Sequence, residues 1–236
     1  MENLVIPFQI NNFIKGTIAR LGSVADKIID KNHPDKIKSI FADSIAITAT
    51  LGSRMKNDGI FSFQVKSNGL IKTILVDINN NSSIRGYILF KKDPKVELKF
   101  DNFFIDGYLA LTINEGKFSN NYQGIVAIEG QSLQDSIQSY FSSSQQTKTH
   151  FKTFNIYNLL NGDDTKNNFT TGAIKIELMP HTNSSELINS ESLIWEEAKL
   201  FLNTISSNEF LDKRISLSQI LFRLFGQYNV PVFDEI

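Results

Sequence analysis

The 236-residue chain contains no cysteine. Disulfides, thiolate chemistry and a zinc site of the cysteine type are therefore excluded within it. It also lacks an excess of either charge: 24 basic and 25 acidic residues leave a net charge of −1. No broad positive field is available to collect nucleic acid or anionic lipid, so neither is an expected partner. No run approaches the ~20 apolar residues needed to cross a bilayer. Met1 to Ile10 has no basic region followed by an apolar stretch and does not read as a secretory signal, which makes the cytoplasm the expected location. Nucleophile-elbow, Walker-type and dinucleotide-binding motifs are absent as well, and no repeat occurs at a solenoid period.

What remains is an ordinary globular balance, 41% hydrophobic and 21% charged, long enough for one large domain with a smaller appendage. From Thr17 to about Lys31, Ile18, Leu21, Ala25 and Ile28 recur at spacings of three and four, predicting a helix. Pro34 opens a second helix to Met55, with the stripe Ile37, Ile40, Phe41, Ser44, Thr48 and Leu51. Its small-residue stretch Ala42 to Ala49 suits a buried helix.

After Asn57-Asp58-Gly59 the period changes to two. Phe61, Phe63 and Val65 mark a strand, and Ser67-Asn68-Gly69 turns it into a returning strand from Leu70 to Val76. Further strands are predicted at Ile84–Phe90, Tyr108–Ile113 and Tyr122–Glu129, the last with so few polar residues that burial on both faces is expected. Ser132 starts a short helix carrying Leu133, Ile137, Tyr140 and Phe141. His150–Tyr157 and Gly172–Leu178 read as the last two strands, joined by a polar loop with Asn161-Gly162, and Pro180 closes the section.

Beyond a polar stretch from His181 to Ser185 the character is helical. Leu187, Ile194, Ala198, Phe201 and Ile205 lie on one face, and Ser216-x-x-Gln219 has the form of a capping box. Leu217, Ile220, Leu221 and Leu224 form the last stripe, Gly226 stops it, and Val230 to Phe233 is extended. The fold class is thus α+β: a strand-rich core with N-terminal helices packed on the sheets, residues 1–180, followed by a small helical subdomain, residues 181–236.

Nothing in this pattern assembles an active site, and no enzyme is expected. His33, His150 and His181 have no shared spacing and read as ordinary imidazoles; Glu115 and Glu129 read as solvated carboxylates. Arg85 and Gln123 each adjoin a glycine on a predicted strand. Either Arg85 contacts an anion, or it pairs with a carbonyl or carboxylate while the glycine lets strands approach. The helical appendage carries Ile194, Trp195, Phe201, Leu221, Phe222 and Phe225. From the pattern alone it is a helical layer on a sheet; alternatively it covers or exposes a sticky surface that holds other proteins.

Several blocks, in order, carry a resemblance. They are Ser67-Asn68-Gly69, Asp77 to Gly86, Gly107 to Ile113, Tyr122 to Gly130, Tyr140 to Gln146 and Gly172 to Pro180, of which Tyr122 to Gly130 is the most specific. Together they resemble the 33 kDa chaperonin family through almost the whole chain. That resemblance implies an ATP-independent holdase of the bacterial cytoplasm, a stress-response protein that binds unfolding clients to prevent their aggregation. It implies a core, a helical linker matching Leu187 to Phe225, and a C-terminal module whose four cysteines hold zinc and switch the chaperone on oxidation. It also implies client binding, or its control, at Ile194, Trp195, Phe201, Leu221, Phe222 and Phe225, and homodimers that exchange linkers. No residue here matches the zinc ligands, so no cofactor is expected unless a cysteine module follows Ile236, and activity is expected to be constitutive or insensitive to peroxide. The competing hypothesis is a structural or small-anion-binding α+β domain with Arg85 as the anion contact.

Overall fold

The computed structural model describes residues 3–53, 59–79, 82–92, 99–114, 121–158, 168–179 and 185–233. His181, Glu115, Pro94, Pro180, the Asn161-Gly162 loop and the side chain of Leu187 lie outside the described residues.

Two antiparallel sheets enclose one helix. The first orders its strands β1 (Leu4–Ile10), β2 (Ile14–Leu21), β9 (Asn168–Leu178) and β8 (Thr149–Asn158). The second runs β5 (Ile84–Phe90), β4 (Ile71–Asn79), β3 (Ile60–Lys66), β6 (Tyr108–Asn114) and β7 (Tyr122–Ala127). Between them lies α2 (Asp35–Gly52), which touches strands of both sheets. A helix in that position must be apolar on every side, and Ile37, Phe41, Ala42, Ile45, Ala46, Ile47 and Ala49 are all buried. Its buried hydroxyls are satisfied locally: Ser44, Thr48 and Thr50 donate to the carbonyls of Ile40, Ser44 and Ala46 at 2.7–2.9 Å.

The helix expected from Thr17 to Lys31 is not formed. Residues to Leu21 are β2, and only α1 (Ser23–Ile28) is helical. The cause is burial on both faces: β2 sits between β1 and β9, so apolar residues occupy both of its sides and the period of two is hidden. A chance spacing of three and four then imitates a helix. The reverse error occurs at β7. Among the described residues it pairs only with β6, so it is an edge strand with Tyr122, Gln123 and Ile125 exposed rather than a strand buried on both faces.

The remaining elements follow their local signals. Ser132 caps α4 (Leu133–Ser143) by accepting from the Asp135 amide at 3.2 Å. Short α3 (Phe100–Phe103) occupies the loop before β6. The C-terminal helices α5 (Ser185–Thr204), α6 (Ser207–Phe210) and α7 (Leu217–Phe225) pack on the face of the first sheet that turns away from α2. The Ser216–Gln219 capping box is formed in both directions, at 3.1 and 2.8 Å. The extended tail then runs along β1, where Gln9 and Asn11 amides donate to Pro231 and Asn229 carbonyls and the Phe233 amide donates to Pro7. Proline is tolerated at Pro7 because that strand edge would otherwise face solvent.

Two apolar clusters result. One surrounds α2 between the sheets; the other lies beneath α5–α7 and includes Ile6, Phe8, Ile18, Phe154, Ile174 and Ile176. Among the described residues the first sheet is therefore covered on both faces, the second on one.

Candidate functional site

The six apolar residues of the helical appendage divide unequally. Trp195, Leu221 and Phe225 are buried in the cluster on the first sheet, and Ile194 and Phe201 pack against it half-buried. Phe225 stacks on Phe8 with ring centroids 6.0 Å apart. Phe222 points the other way and is 73% exposed. In this state three of the six are core side chains, two pack half-buried at the core's edge and one is surface.

Two cations of the first sheet hold these helices by their backbone. Arg20 on β2 donates to the carbonyls of Phe210, Asp212 and Ile215 at 2.5, 3.3 and 2.7 Å. Lys152 on β8 donates to those of Leu202, Asn203 and Ile205 at 3.2, 2.8 and 2.8 Å. The carbonyls at the end of α5 have no partner within their own helix, so the ammonium completes them and meets the negative end of the helix dipole. Burial draws the pKa of both cations below their ordinary values, with Asp212 acting in the opposite sense on Arg20. Beside them, a His150 ring nitrogen lies 3.2 Å from Asn203 Oδ1, and burial lowers that imidazole's pKa, favouring the neutral ring. His33 lies apart, edge-on to Phe90 at 5.0 Å.

Between the two cations Phe210 is inserted into the sheet. Register places Leu4, Arg20, Gly172 and Phe154 in one row across β1, β2, β9 and β8. The Phe210 ring is fully buried, stacks on Phe154 at 3.9 Å and 10°, and lies within 5.9 Å of the Arg20 guanidinium carbon. Gly172 forms the floor, and a Cβ there would stand 2.6 Å from the Phe210 ring.

The second sheet presents a different surface. Register sets Tyr87, Leu75, Gln64, Ala110 and Ile125 in one row of its outer face, and Leu89, Thr73, Lys66, Tyr108 and Ala127 in the next. Tyr87 is 55% exposed, Ile125 57%, Leu89 48% and Tyr108 38%. The helices α1, α2 and α4 meet this sheet through inner-face positions such as Gly86 and Gly124, packed against Phe41 and Tyr140. Among the described residues nothing covers this face, and large apolar side chains spread over such a face form the kind of patch that marks an interaction surface.

Arg85 and Gln123 border this face in a third row, Arg85–Asp77–Ser62–Thr112–Gln123. The Arg85 Nε and a terminal nitrogen donate to Asp77 Oδ2 at 2.9 and 2.8 Å, and Gln123 Nε2 donates to Thr112 Oγ1 at 3.0 Å. They stand four strand spacings apart, roughly 19 Å, and form no common site. Of the two roles open to Arg85 from sequence, the carboxylate partner is present. A cavity of about 190 Å³ adjoins the pair, and the buried Asp77 Oδ1 has no partner.

Sequence reasoning missed Tyr87, Leu89, Tyr108 and Ile125, whose strands were legible but whose uncovered side was not. It also missed Arg20, Lys152 and Phe210. For Phe210 a weak signal existed, a phenylalanine beside Leu211 just before a charged turn.

A family model described as "Hsp33 protein" matches residues 3–236. Among curated proteins the chain is similar to the "33 kDa chaperonin" of Caulobacter vibrioides (strain NA1000 / CB15N), 25% identical over all of this chain and 79% of that protein. It is likewise similar to the "33 kDa chaperonin" of Aliivibrio fischeri (strain MJ11), 25% identical over 94% of this chain and 71% of that one. The fold is similar to the crystal structure of the 33 kDa chaperonin of Thermotoga maritima, with a TM-score of 0.72 at 14% identity, covering 99% of this chain and 79% of that one.

Proposed function

The chain belongs to the Hsp33 protein family, and from that membership we propose that it acts as an ATP-independent holdase whose client surface is the open face of the five-stranded sheet. It is a molecular chaperone, and its partners are unfolded or partly folded proteins. The observation that carries the choice of surface is the exposure of Tyr87, Leu89, Tyr108 and Ile125 on one uncovered sheet face. Covering ~300 Å² of apolar surface there would yield about 7 kcal/mol at ~25 cal/mol per Å². Lost chain freedom subtracts from that figure, which leaves weak, reversible binding suited to holding rather than folding.

The six linker side chains proposed from sequence serve a second role in this reading. With Trp195, Leu221 and Phe225 buried, they add to the client surface only when α5–α7 lift from the first sheet. In a linker-exchanged homodimer, the linker of a second copy would make these same contacts to Arg20 and Lys152. A cytoplasmic location is supported by the bacterial relatives, and no helix among the described residues is long and apolar enough to cross a membrane.

Zinc held by four cysteines does not fit the residues present, since the chain has no cysteine, and no step is routed through it. With no thiol to oxidise, the activity of this chain does not depend on disulfide formation. The test is suppression of light scattering by a heat-denatured client, without nucleotide, before and after peroxide. Equal suppression under both conditions is expected. No suppression would remove the holdase assignment, and suppression only after peroxide would remove the claim of thiol independence.

A further inference from the structure

The two sheets have four edge strands, and three of them meet another part of the chain. On β8 the outward amides of Phe151 and Thr153 donate to the side-chain oxygens of Gln138 and Gln134 at 2.9 and 3.1 Å, two glutamines one turn apart on α4. The tail from Asn229 to Phe233 pairs with β1, and α1 packs against β5, where Ile28 approaches Gly86. The fourth edge is β7. Its phase is fixed by the Ile128 amide, which donates to the Gly107 carbonyl at 2.9 Å, so Tyr122, Gly124 and Val126 turn their backbone toward β6. Gln123, Ile125 and Ala127 therefore turn both N–H and C=O away from the sheet, and these groups meet no partner among the described residues. All three residues are exposed. The strand reads Tyr-Gln-Gly-Ile-Val-Ala, without the lysine, proline or inward charge that blunts an edge against added strands.

We propose that the free edge of β7 takes an extended segment of an unfolded client as a sixth strand, paired through the backbone of Gln123, Ile125 and Ala127. The proposal deepens the holdase reading and rests on it: it names the client's main chain, rather than its side chains alone, as what the second sheet recognises. Backbone N–H and C=O groups are common to every polypeptide and are freed from their ladders when a protein unfolds, so pairing through them is indifferent to client sequence. A strand added about 4.8 Å beyond β7 would also lay alternate side chains on the outer face, beside Ile125 at the end of the row that begins with Tyr87. The edge and the open face thus form one continuous surface, one part reading main chain and the other apolar side chains. A segment with apolar residues at every second position satisfies both.

The experiment uses the full chain and a fluorescently labelled peptide of alternating valine and threonine with a lysine at each end. On saturation with this peptide, amide exchange at Gln123, Ile125 and Ala127 of the unaltered protein is expected to slow at least about tenfold, while Tyr122, Gly124 and Val126, already turned to β6, change little. Ile125→Pro removes one outward N–H without breaking the ladder to β6. It is expected to weaken peptide binding at least about tenfold more than Ile125→Ala, which removes the side chain alone. Should Ile125→Pro fail to fold, Ala127→Pro on the same edge is measured against the unaltered protein in its place, and undiminished binding there would overturn the proposal. Unchanged exchange of the three amides, or equal losses in the proline and alanine variants of Ile125, would overturn it too and leave side-chain contact alone. Protection of the same amides that appears without peptide and grows with protein concentration would assign the edge to a second copy, and would remove it as a client site. The two readings fail separately: absent suppression of client aggregation by the unaltered protein sinks the holdase, whereas normal suppression with no protection of the edge sinks the sixth strand alone.

Discussion

The two sheets have the same antiparallel plan, yet among the described residues one is covered on both faces and the other on one. On the four-stranded sheet, Ile6, Ile18, Ile174 and Phe154 disappear beneath α5–α7, and two cations fasten the covering helices through six carbonyls. On the five-stranded sheet, Tyr87, Leu89, Tyr108 and Ile125 stand at equivalent outward positions with nothing over them among the described residues. The difference teaches that apolar residues on a strand do not announce a core. A sheet face becomes core or contact surface according to whether another element of the chain reaches it.

The contrast can be broken first at its most buried point. Phe225→Ala should cost about 3–5 kcal/mol in chemical denaturation, because a fully buried ring stacked on Phe8 is lost and leaves a cavity. Next comes Lys152→Met, which leaves the carbonyls at the end of α5 without their donor. A loss of about 2–3 kcal/mol is expected, read as faster amide exchange in α5 while α2 stays protected.

A pH experiment probes the closed side from within. Asp43 on α2 accepts a hydrogen bond from Asn155 Nδ2 on β8 at 2.9 Å, and burial raises its pKa from an ordinary 3.8 to about 6. A carboxyl whose folded pKa is raised binds its proton more tightly in the folded chain. Its favourable contribution is complete below pH ~4 and is lost as pH rises through 6. Asp43→Asn should therefore stabilise the protein at pH 7.5 relative to pH 4, by about 1–3 kcal/mol, the lower end applying because the residue keeps some solvent contact. An equal effect at both pH values would mean that Asp43 stays charged. The smallest change is Phe222→Ala on the exposed side of α7, expected within ~0.5 kcal/mol of the unaltered protein in the same denaturation, one helix turn from the costly Phe225.

Legibility in the sequence followed the same division. Helix α2, the β3–β4 hairpin and the Ser216–Gln219 capping box were readable because their signals are local: small residues in an apolar run, a turn tripeptide, two side chains three residues apart. Strand β2 was misread because burial on two faces erases alternation, and β7 because an edge strand with exposed apolar residues looks as apolar as a buried one. The linker's apolar stripe was visible as residues, but whether Trp195 or Phe225 is core or contact surface depends on docking, a tertiary property. The partners of Arg20 are hidden more deeply still, since a cation that reads carbonyls some 190 residues away leaves no mark on neighbouring sequence.

The measurement closest to the central claim is client aggregation with the open face made charged. Tyr87→Asp and Ile125→Asp, together, alter two exposed positions in one row of the five-stranded sheet and leave the four-stranded sheet and its linker untouched. The double variant is expected to melt within a few degrees of the unaltered protein and to need several times more chain to suppress light scattering by the same client. Undiminished suppression by that folded double variant would contradict it, and would return the client surface to the linker.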